Sequence, residues 1–498
     1  MTPGAISALA ERALKWSAFT TAARFGLQFV SQVALARLLG PDNFGVYGIG
    51  MTVLTFVGFL SGASFSYGLM LQRTVTDEDI RFSFTWQMIA GLGSAIAMYA
   101  AAPLLAHFFG DSRVEGMVQL LSLASLLIAA AGPATYLLQR DLDFRRLGLV
   151  QLASYAAGYL AVGVPMALSG FGAWALGTAC VVQAAIALVL TYRAKPHPVK
   201  PLLRHSDGTE TLATGRAVFM TNVVNWLLGN LDRVVIGRVL NAHAVGIYTV
   251  AYNLASIPNV LLVGALQPAF VATGAKLQDS RDRLAQGWLL AIACVLVLAT
   301  PVAVVMAMLS SDLVQLVYGS AWMETAWVLA VMFLCLPAWA CWGLSTPVLW
   351  NTDRKEYEWR LQMPLLLVAV PAWWFFAPAG VRGVAIVSSC VIVARALLIL
   401  AASLRALQLR WRVLLPYIGR GVALSAVCAV AVLAGQHASA SLASPLIALV
   451  AGGIAASLAM LAIVIFKPDA LGPEAQTALS RVVPVFGPHL APRPGTAL

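Results

Sequence analysis

The sequence predicts an all-α membrane protein of about fourteen transmembrane helices, with two six-helix lobes in parallel repeat around a central cavity and two accessory helices after them. Three observations carry that prediction. Of the 498 residues, 60% are hydrophobic and only 11% are charged, and the mean hydropathy is +0.82. A water-soluble chain cannot bury that much apolar surface, so its solvent is lipid. The apolar runs are roughly 20 residues long, the length of a spanning helix, whereas barrel strands alternate over about 10. The chain also contains one stretch twice. Residues 20–50 align without a gap with residues 221–251, matching Arg37 to Arg238, Leu39 to Leu240, Gly45 to Gly246 and Tyr47 to Tyr248. Self-similarity at nearly half the chain length marks a duplicated architecture.

Taken in order, the spans are expected at 16–39, 44–70, 83–105, 116–137, 148–168, 171–191, 217–240, 244–270, 287–309, 325–350, 362–378, 381–403, 414–434 and 445–466. Arg12 and Lys15, with Ala34-Leu35-Ala36 further on, imitate a secretory leader. Arg24 and Gln28 interrupt that run, and its twin is internal, so it reads as a first span rather than a cleaved segment. With the N-terminus inside, 24 of the 32 basic residues fall in cytoplasmic segments. Only Arg37, Arg113, Arg238 and Arg382 fall on the opposite side. That asymmetry sets both termini in the cytoplasm. It also accounts for most of the +11 net charge without nucleic acid as a partner.

Two further echoes extend the repeat. FFGDSRVEGMVQL from Phe108 matches VYGSAWMETAWVL from Val317, and GFGAWAL from Gly170 weakly matches GVRGVAI near Gly380. Each copy holds six spans, so both enter from the same side and are related by a pseudo-two-fold axis along the membrane normal. The expected division is an N-terminal lobe at 1–191, a cytoplasmic linker at 192–216 and a C-terminal lobe at 217–410. Accessory helices follow at 411–466, then a flexible or surface-lying cytoplasmic tail at 467–498. The linker carries Pro196, Pro198 and Pro201, and the tail is also rich in proline.

Polar residues inside apolar spans are costly and mark cavities or partners. Thr20, Thr21, Arg24, Gln28 and Ser31 share one helical face, and the second copy has Thr221, Asn222, Asn225, Gly229 and Asp232 in the same places. Two matching stripes suggest a polar cavity shared by the halves. Arg24 lies roughly 12 Å into its span at about 1.5 Å per residue, and Arg395 is comparably deep. Both suit an anionic substrate, or satisfaction by carbonyls or a carboxylate. Asp232 suits an ion pair with Arg24 or a coupling ion, and its neighbour Arg233 points about 100° away. Gln28 and Asn225 can hydrogen-bond sugar hydroxyls or join helices. Glu115 and Glu324 suit helix N-termini, and Asp77-Glu78-Asp79 reads as a solvated acidic loop. Trp16, Trp86, Trp174, Trp322, Trp359 and Trp411 read as interfacial anchors. The six cysteines lie in apolar runs and read as buried, inert thiols. No phosphate-binding glycine loop, nucleotide domain or Ser/His/Asp set is found, so no cofactor, metal or enzymatic reaction is expected.

RLLGPDNFGVYGIG, QRDLDFRRLGLVQ, GFGAWALGTA, DRVVIGRVLNAHAVGIYTVAYNL and LVYGSAWMETAWVLAVM occur in this order over residues 12–410. Together they resemble the Wzx-type polysaccharide flippases of the multidrug/oligosaccharidyl-lipid/polysaccharide exporter superfamily. The resemblance implies a bacterial inner-membrane protein that carries an oligosaccharide repeat unit on undecaprenyl diphosphate to the periplasmic leaflet. Its expected partners are that lipid-linked sugar, the bilayer, and a polysaccharide polymerase with chain-length and export proteins. The resemblance places a cationic cavity on Arg24, Arg395 and Arg233. Similarity to lipid II flippases implies that the last two spans form an apolar groove for the lipid tail. Two rivals stay open. A multidrug antiporter would favour acids in the cavity, and Asp232 is the only acid well inside a span. A membrane polymerase or glycosyltransferase would need a large outer loop, and the outer loops here are short.

Overall fold

The computed structural model describes residues 3–60, 69, 75–204, 208–276, 281–352, 354–440 and 444–482. Arg73, Arg493, the end of the second expected span and the tail beyond 482 lie outside the described residues, as do the side chains of Arg12, Lys15, Arg216, Lys276, Lys355 and Arg481. Among the described residues the regular structure is all helical. Among the described residues, ten helices are long and apolar enough to cross a membrane. An eleventh span results if the bent pair Ser320–Leu334 and Leu336–Asn351, meeting at 44°, counts as one. The chain is a multi-pass membrane protein. It divides into two compact units, Met1–Gly246 and Ile247–Leu498.

In the first unit, α1 (Pro3–Leu60) is broken at Gly40, whose φ of 70° and ψ of 175° leave helical space. Pro41 opens the second arm, where its missing N–H costs nothing. Next come α2 (Asp77–Phe109), α3 (Arg113–Arg140), α4 (Phe144–Leu168), α5 (Ala173–Ala194) and α6 (Gly208–Val239). The acidic triplet is not a loop but the first turn of α2. Thr76 Oγ1 accepts from the Asp79 N–H at 3.2 Å, and Asp79 Oδ2 accepts from the Thr76 N–H at 2.8 Å. This capping box satisfies two orphan donors, and the acids complement the helix dipole. The α2–α3 turn passes through Gly110 at φ 69°, and its repeat partner Gly319 has φ 91°. Glu115 and Glu324 then sit in first turns, as expected. At the same turn, the Arg113 guanidinium holds the Asp111 carboxyl below its ordinary pKa.

The Pro-rich linker is pinned along α2 in its described part. Arg81 Nε donates to the Lys200 carbonyl at 3.0 Å, and the Leu202 N–H donates to Thr85 Oγ1 at 2.9 Å. His197 lies between the rings of Phe84 and Tyr192, and burial pushes its pKa down.

The duplicated stretch meets its own copy. After α6 the chain begins α7 (Ala242–Lys276). A Cβ built on Gly45 would lie 1.6 Å from the Ala242 carbonyl oxygen, and one on Gly246 would lie 2.1 Å from the Pro41 oxygen. Pro41 and Ala242 are themselves repeat partners, so the contact is reciprocal, as a local two-fold axis requires. Asp42 and His243, also partners, stand 3.3 Å apart at Oδ1 and Nδ1. Small residues permit such close backbone approach between helices. Residues 217–246, which the repeat assigns to the second copy, therefore pack within the first unit.

The second unit continues α7 and adds α8 (Arg281–Met308), α9 (Ser310–Val317), α10 (Ser320–Leu334), α11 (Leu336–Asn351), α12 (Lys355–Phe376), α13 (Val381–Ala406), α14 (Leu415–Ser439), α15 (Pro445–Phe466) and α16 (Pro473–Val482). Trp288, Trp322 and Trp373 are fully buried. Trp322 is thus core rather than an interfacial anchor, because the short turn Ser320–Trp322 after Gly319 folds its ring inward. Cys390 is exposed, unlike the other five thiols, which are buried or partly so. The start of the tail is ordered. In α16, Ala475 is buried and Glu474 Oε1 accepts from Tyr417 Oη at 2.6 Å. On α15, Gly453, Ile454, Leu458 and Leu461 line a shallow apolar groove of about 400 Å3.

Candidate functional site

The first unit holds a cavity of about 690 Å3 between α1, α2, α3, α4 and α5. It reaches Gln139 and Thr191, near the C-terminal ends of α3 and α5, and Leu147, near the start of α4. These three ends lie on one side of the unit. The glycine crossing lies at the opposite ends of the helices.

Amides and hydroxyls supply the polar part of the wall. Gln28 comes from α1, Gln87 from α2, Gln139 from α3, Gln151 from α4 and Gln183 from α5. Each side-chain amide offers two donors and an acceptor. Ser125 is buried, and its hydroxyl has no hydrogen-bond partner. Such an orphan costs about 1–3 kcal/mol. Tyr155 and Tyr159 stack at 4.5 Å with 17° between ring planes, and the Tyr159 hydroxyl meets that of Tyr47 at 2.7 Å. The pair is shaped by a π-helical stretch, Ala156–Gly163, within α4. Short π segments are concentrated at functional sites.

Arg24 stands at the edge of this wall. Its Nη1 donates to Gln151 Oε1 at 2.9 Å, while its buried Nε has no hydrogen-bond partner. The expected pairing of Arg24 with Asp232 does not form, because the Arg24 guanidinium turns toward α4 and finds Gln151 there. Asp232 is buried on α6, where it accepts from the Arg233 N–H at 2.8 Å. Arg233 Nη1 returns to its own helix, to the Gly229 carbonyl at 2.5 Å and Asn230 Oδ1 at 3.2 Å. Asn225 is half-buried on the same helix, and Trp226 beside it donates to Thr55 Oγ1 on the cavity wall at 3.2 Å.

Arg395 belongs to a separate cluster in the second unit. It is buried, its guanidinium lies 3.6 Å over the Trp342 ring, and its Nε donates to Gln362 Oε1. Glu358, also buried, accepts from Trp350 Nε1 at 3.0 Å. The structure therefore joins Arg24 to Gln28 through one cavity wall, keeps Asp232 and Arg233 together on α6, and surrounds Arg395 with protein groups.

Sequence reasoning missed Gln151, Ser125, Tyr155, Tyr159, Glu358 and Gln362. The four-residue spacings of Gln151 to Tyr155 to Tyr159, and of Glu358 to Gln362, each mark one helix face and were the available signal.

A profile of a polysaccharide biosynthesis protein family matches residues 34–327. The succinoglycan biosynthesis transport protein ExoT of Rhizobium meliloti is 28% identical over 340 residues, 67% of either chain. The lipopolysaccharide biosynthesis protein WzxC of Escherichia coli is 24% identical over 319 residues, 62% of this chain and 63% of that one. The matches thus span about two thirds of these relatives. Among solved structures, the lipid II flippase MurJ in an inward closed conformation superposes with a TM-score of 0.71 at 14% identity, covering 89% of this chain and 97% of its own. An inward-facing multidrug resistance MATE family transporter of the MOP superfamily gives 0.62 at 14% identity, covering 76% and 94%. At these identities the structural likenesses establish the fold.

Proposed function

The chain belongs to the polysaccharide biosynthesis protein family that its sequence matches, and from that premise we propose that it flips an undecaprenyl-diphosphate-linked oligosaccharide from the cytoplasmic to the periplasmic leaflet of a bacterial inner membrane. The observation that carries this reading is the first-unit cavity, a chamber of amides and hydroxyls inside apolar helices with one half-free arginine at its edge. A sugar–diphosphate head group cannot cross hydrocarbon without replacing its hydration. The glutamines replace it for hydroxyls. The unpartnered Nε of Arg24 offers a phosphate a charge-assisted hydrogen bond.

The cavity reaches the cytoplasmic helix ends, which suits loading from that leaflet. At the other end the reciprocal glycine contact holds α1 against the start of α7. The polyprenyl tail stays in lipid, and the groove on α15 is a surface it can follow. No bond is made or broken in this process. Partner polymerase and export proteins would receive the product. The termini lie in the cytoplasm, as the basic-residue bias favours.

The test is transport of a tagged undecaprenyl-diphosphate oligosaccharide in proteoliposomes holding only this protein. Head groups should appear on the far leaflet, and Arg24→Ala should slow this at least tenfold while the protein still inserts. Polymer or transferred sugar in place of flipping would move the chain to the enzyme class, and a wild-type rate from Arg24→Ala would remove the arginine from the site.

A further inference from the structure

Resting on the flippase reading for its effect on transport, we propose that the proline-rich linker is a strap released by acid: His197 anchors it along α2, and protonation of that ring frees the strap and slows flipping. Residues 196–204 are neither helix nor strand, and Pro196, Pro198 and Pro201 offer no backbone N–H. The segment docks as an extended peptide does, mainly through its carbonyls. Tyr192 Oη donates to the His197 carbonyl at 3.4 Å, Arg81 Nη2 to that of Pro201 at 3.3 Å and Trp86 Nε1 to that of Leu203 at 3.3 Å. The Arg81 Nε and Leu202 N–H bonds described above lie between them. His197 adds a side-chain anchor. It is buried, with its ring 5.4 Å from that of Phe84 on α2 and 5.3 Å from that of Tyr192 on α5. Its Nδ1 lies 3.3 Å from the Pro198 carbonyl oxygen.

Acid weakens that anchor. A charged imidazole between two apolar rings loses its water. The charged groups on the surrounding elements are already placed. On α2, Arg81 faces the strap carbonyls, Asp79 closes the capping box, and Asp77 and Glu78 are exposed. On α5, Arg193 follows Tyr192 and is exposed. On the strap, Lys195 pairs with Asp141 at 2.6 Å, and Lys200 and Arg204 are exposed. Burial holds the His197 pKa below its ordinary 6.5. The docked strap therefore favours the neutral ring. Its docking is fully supported above about pH 6.5 and loses support as pH falls toward the lowered value. Release reaches the cavity through α2. Thr85 and Trp86, which hold the strap, immediately precede Gln87 in the cavity wall. Gln87 packs on α3, where a Cβ on Gly132 would lie 2.0 Å from its Nε2. The other end of the linker leads into α6, so a freed strap unpins α2 and the start of α6 together.

Hydrogen exchange at the Leu202 N–H, corrected for intrinsic pH dependence, reports docking in the full chain in nanodiscs. Flipping is measured in proteoliposomes buffered alike on both sides. Between pH 7.5 and 5.5 the native chain should lose at least tenfold in protection and at least threefold in flipping rate. His197→Phe keeps a ring in the box with no proton to gain, and should hold both values steady. Arg81→Ala should free the strap at pH 7.5 and flip there as slowly as the native chain does in acid. Native protection unchanged by acid would overturn the proposal, as would an equal loss in His197→Phe. A strap freed by acid or by Arg81→Ala with flipping unchanged would overturn it too. Flipping absent at both pH values, with exchange as expected, would instead overturn the transport reading and leave the strap.

Discussion

Replacing Gly45 by valine is expected to abolish transport and to lower the yield of folded protein sharply. Any Cβ there would fall 1.6 Å from the Ala242 carbonyl oxygen, well inside contact distance. The obstacle is backbone at the first turn of α7, so no rotamer change relieves it. Ordinary overpacking costs about 1–3 kcal/mol because side chains can shift, and here a helix must move. Gly246→Val should behave alike, since it meets the Pro41 oxygen across the same local axis. Gly93→Val, on an open face with nothing within 4 Å, is the control and should flip at the native rate. The measurement is the melting temperature in detergent together with flipping in proteoliposomes. Native melting in Gly45→Val would show that the crossing is not closed.

Arg395→Ala is expected to unfold the second unit rather than merely silence it. Its removal strips the Trp342 face of its cation and leaves Gln362 Oε1 and the Glu358 carboxylate inside the helices without that guanidinium. Breaking a buried charged network in this way costs about 3–5 kcal/mol. Arg395→Lys should recover part of the charge but little of the stability, because a compact ammonium cannot stack and donate as the planar group does. Thermal melting decides the matter. A variant with native melting and no transport would return Arg395 to the role the sequence suggests, contact with an anionic substrate.

The fold was legible because spans, basic loops and the duplicated stretch are all written in long-range composition. Arg24 and Gln28 were legible for a related reason, since polar side chains stand out in an apolar run. Gln151 did not stand out, because it follows Arg145 and Arg146 by less than two turns and resembles an interfacial residue. Glu358 and Gln362 were hidden by placing the eleventh span at 362, whereas α12 starts at Lys355 and carries both inward. Tyr155 and Tyr159 look like core, and a π-helix has no sequence signature to correct that reading. The attachment of α6 to the first unit was not readable either, because the repeat records ancestry while the unit records packing.

The widened turns of α4 have a consequence for length variation. Removing one residue from an ordinary α-helix turns everything beyond it by about 100°. A stretch bonded from each N–H to the carbonyl five residues back already holds surplus chain, as from Val164 to Tyr159. One deletion within residues 156–163 should let it tighten to α geometry, keeping residues 164–168 on their present face. The same deletion in the first turn of α5 should rotate Cys180 and Gln183 out of the wall. Folded yield from the two deletions will show that α4 tolerates a shortening its neighbour does not.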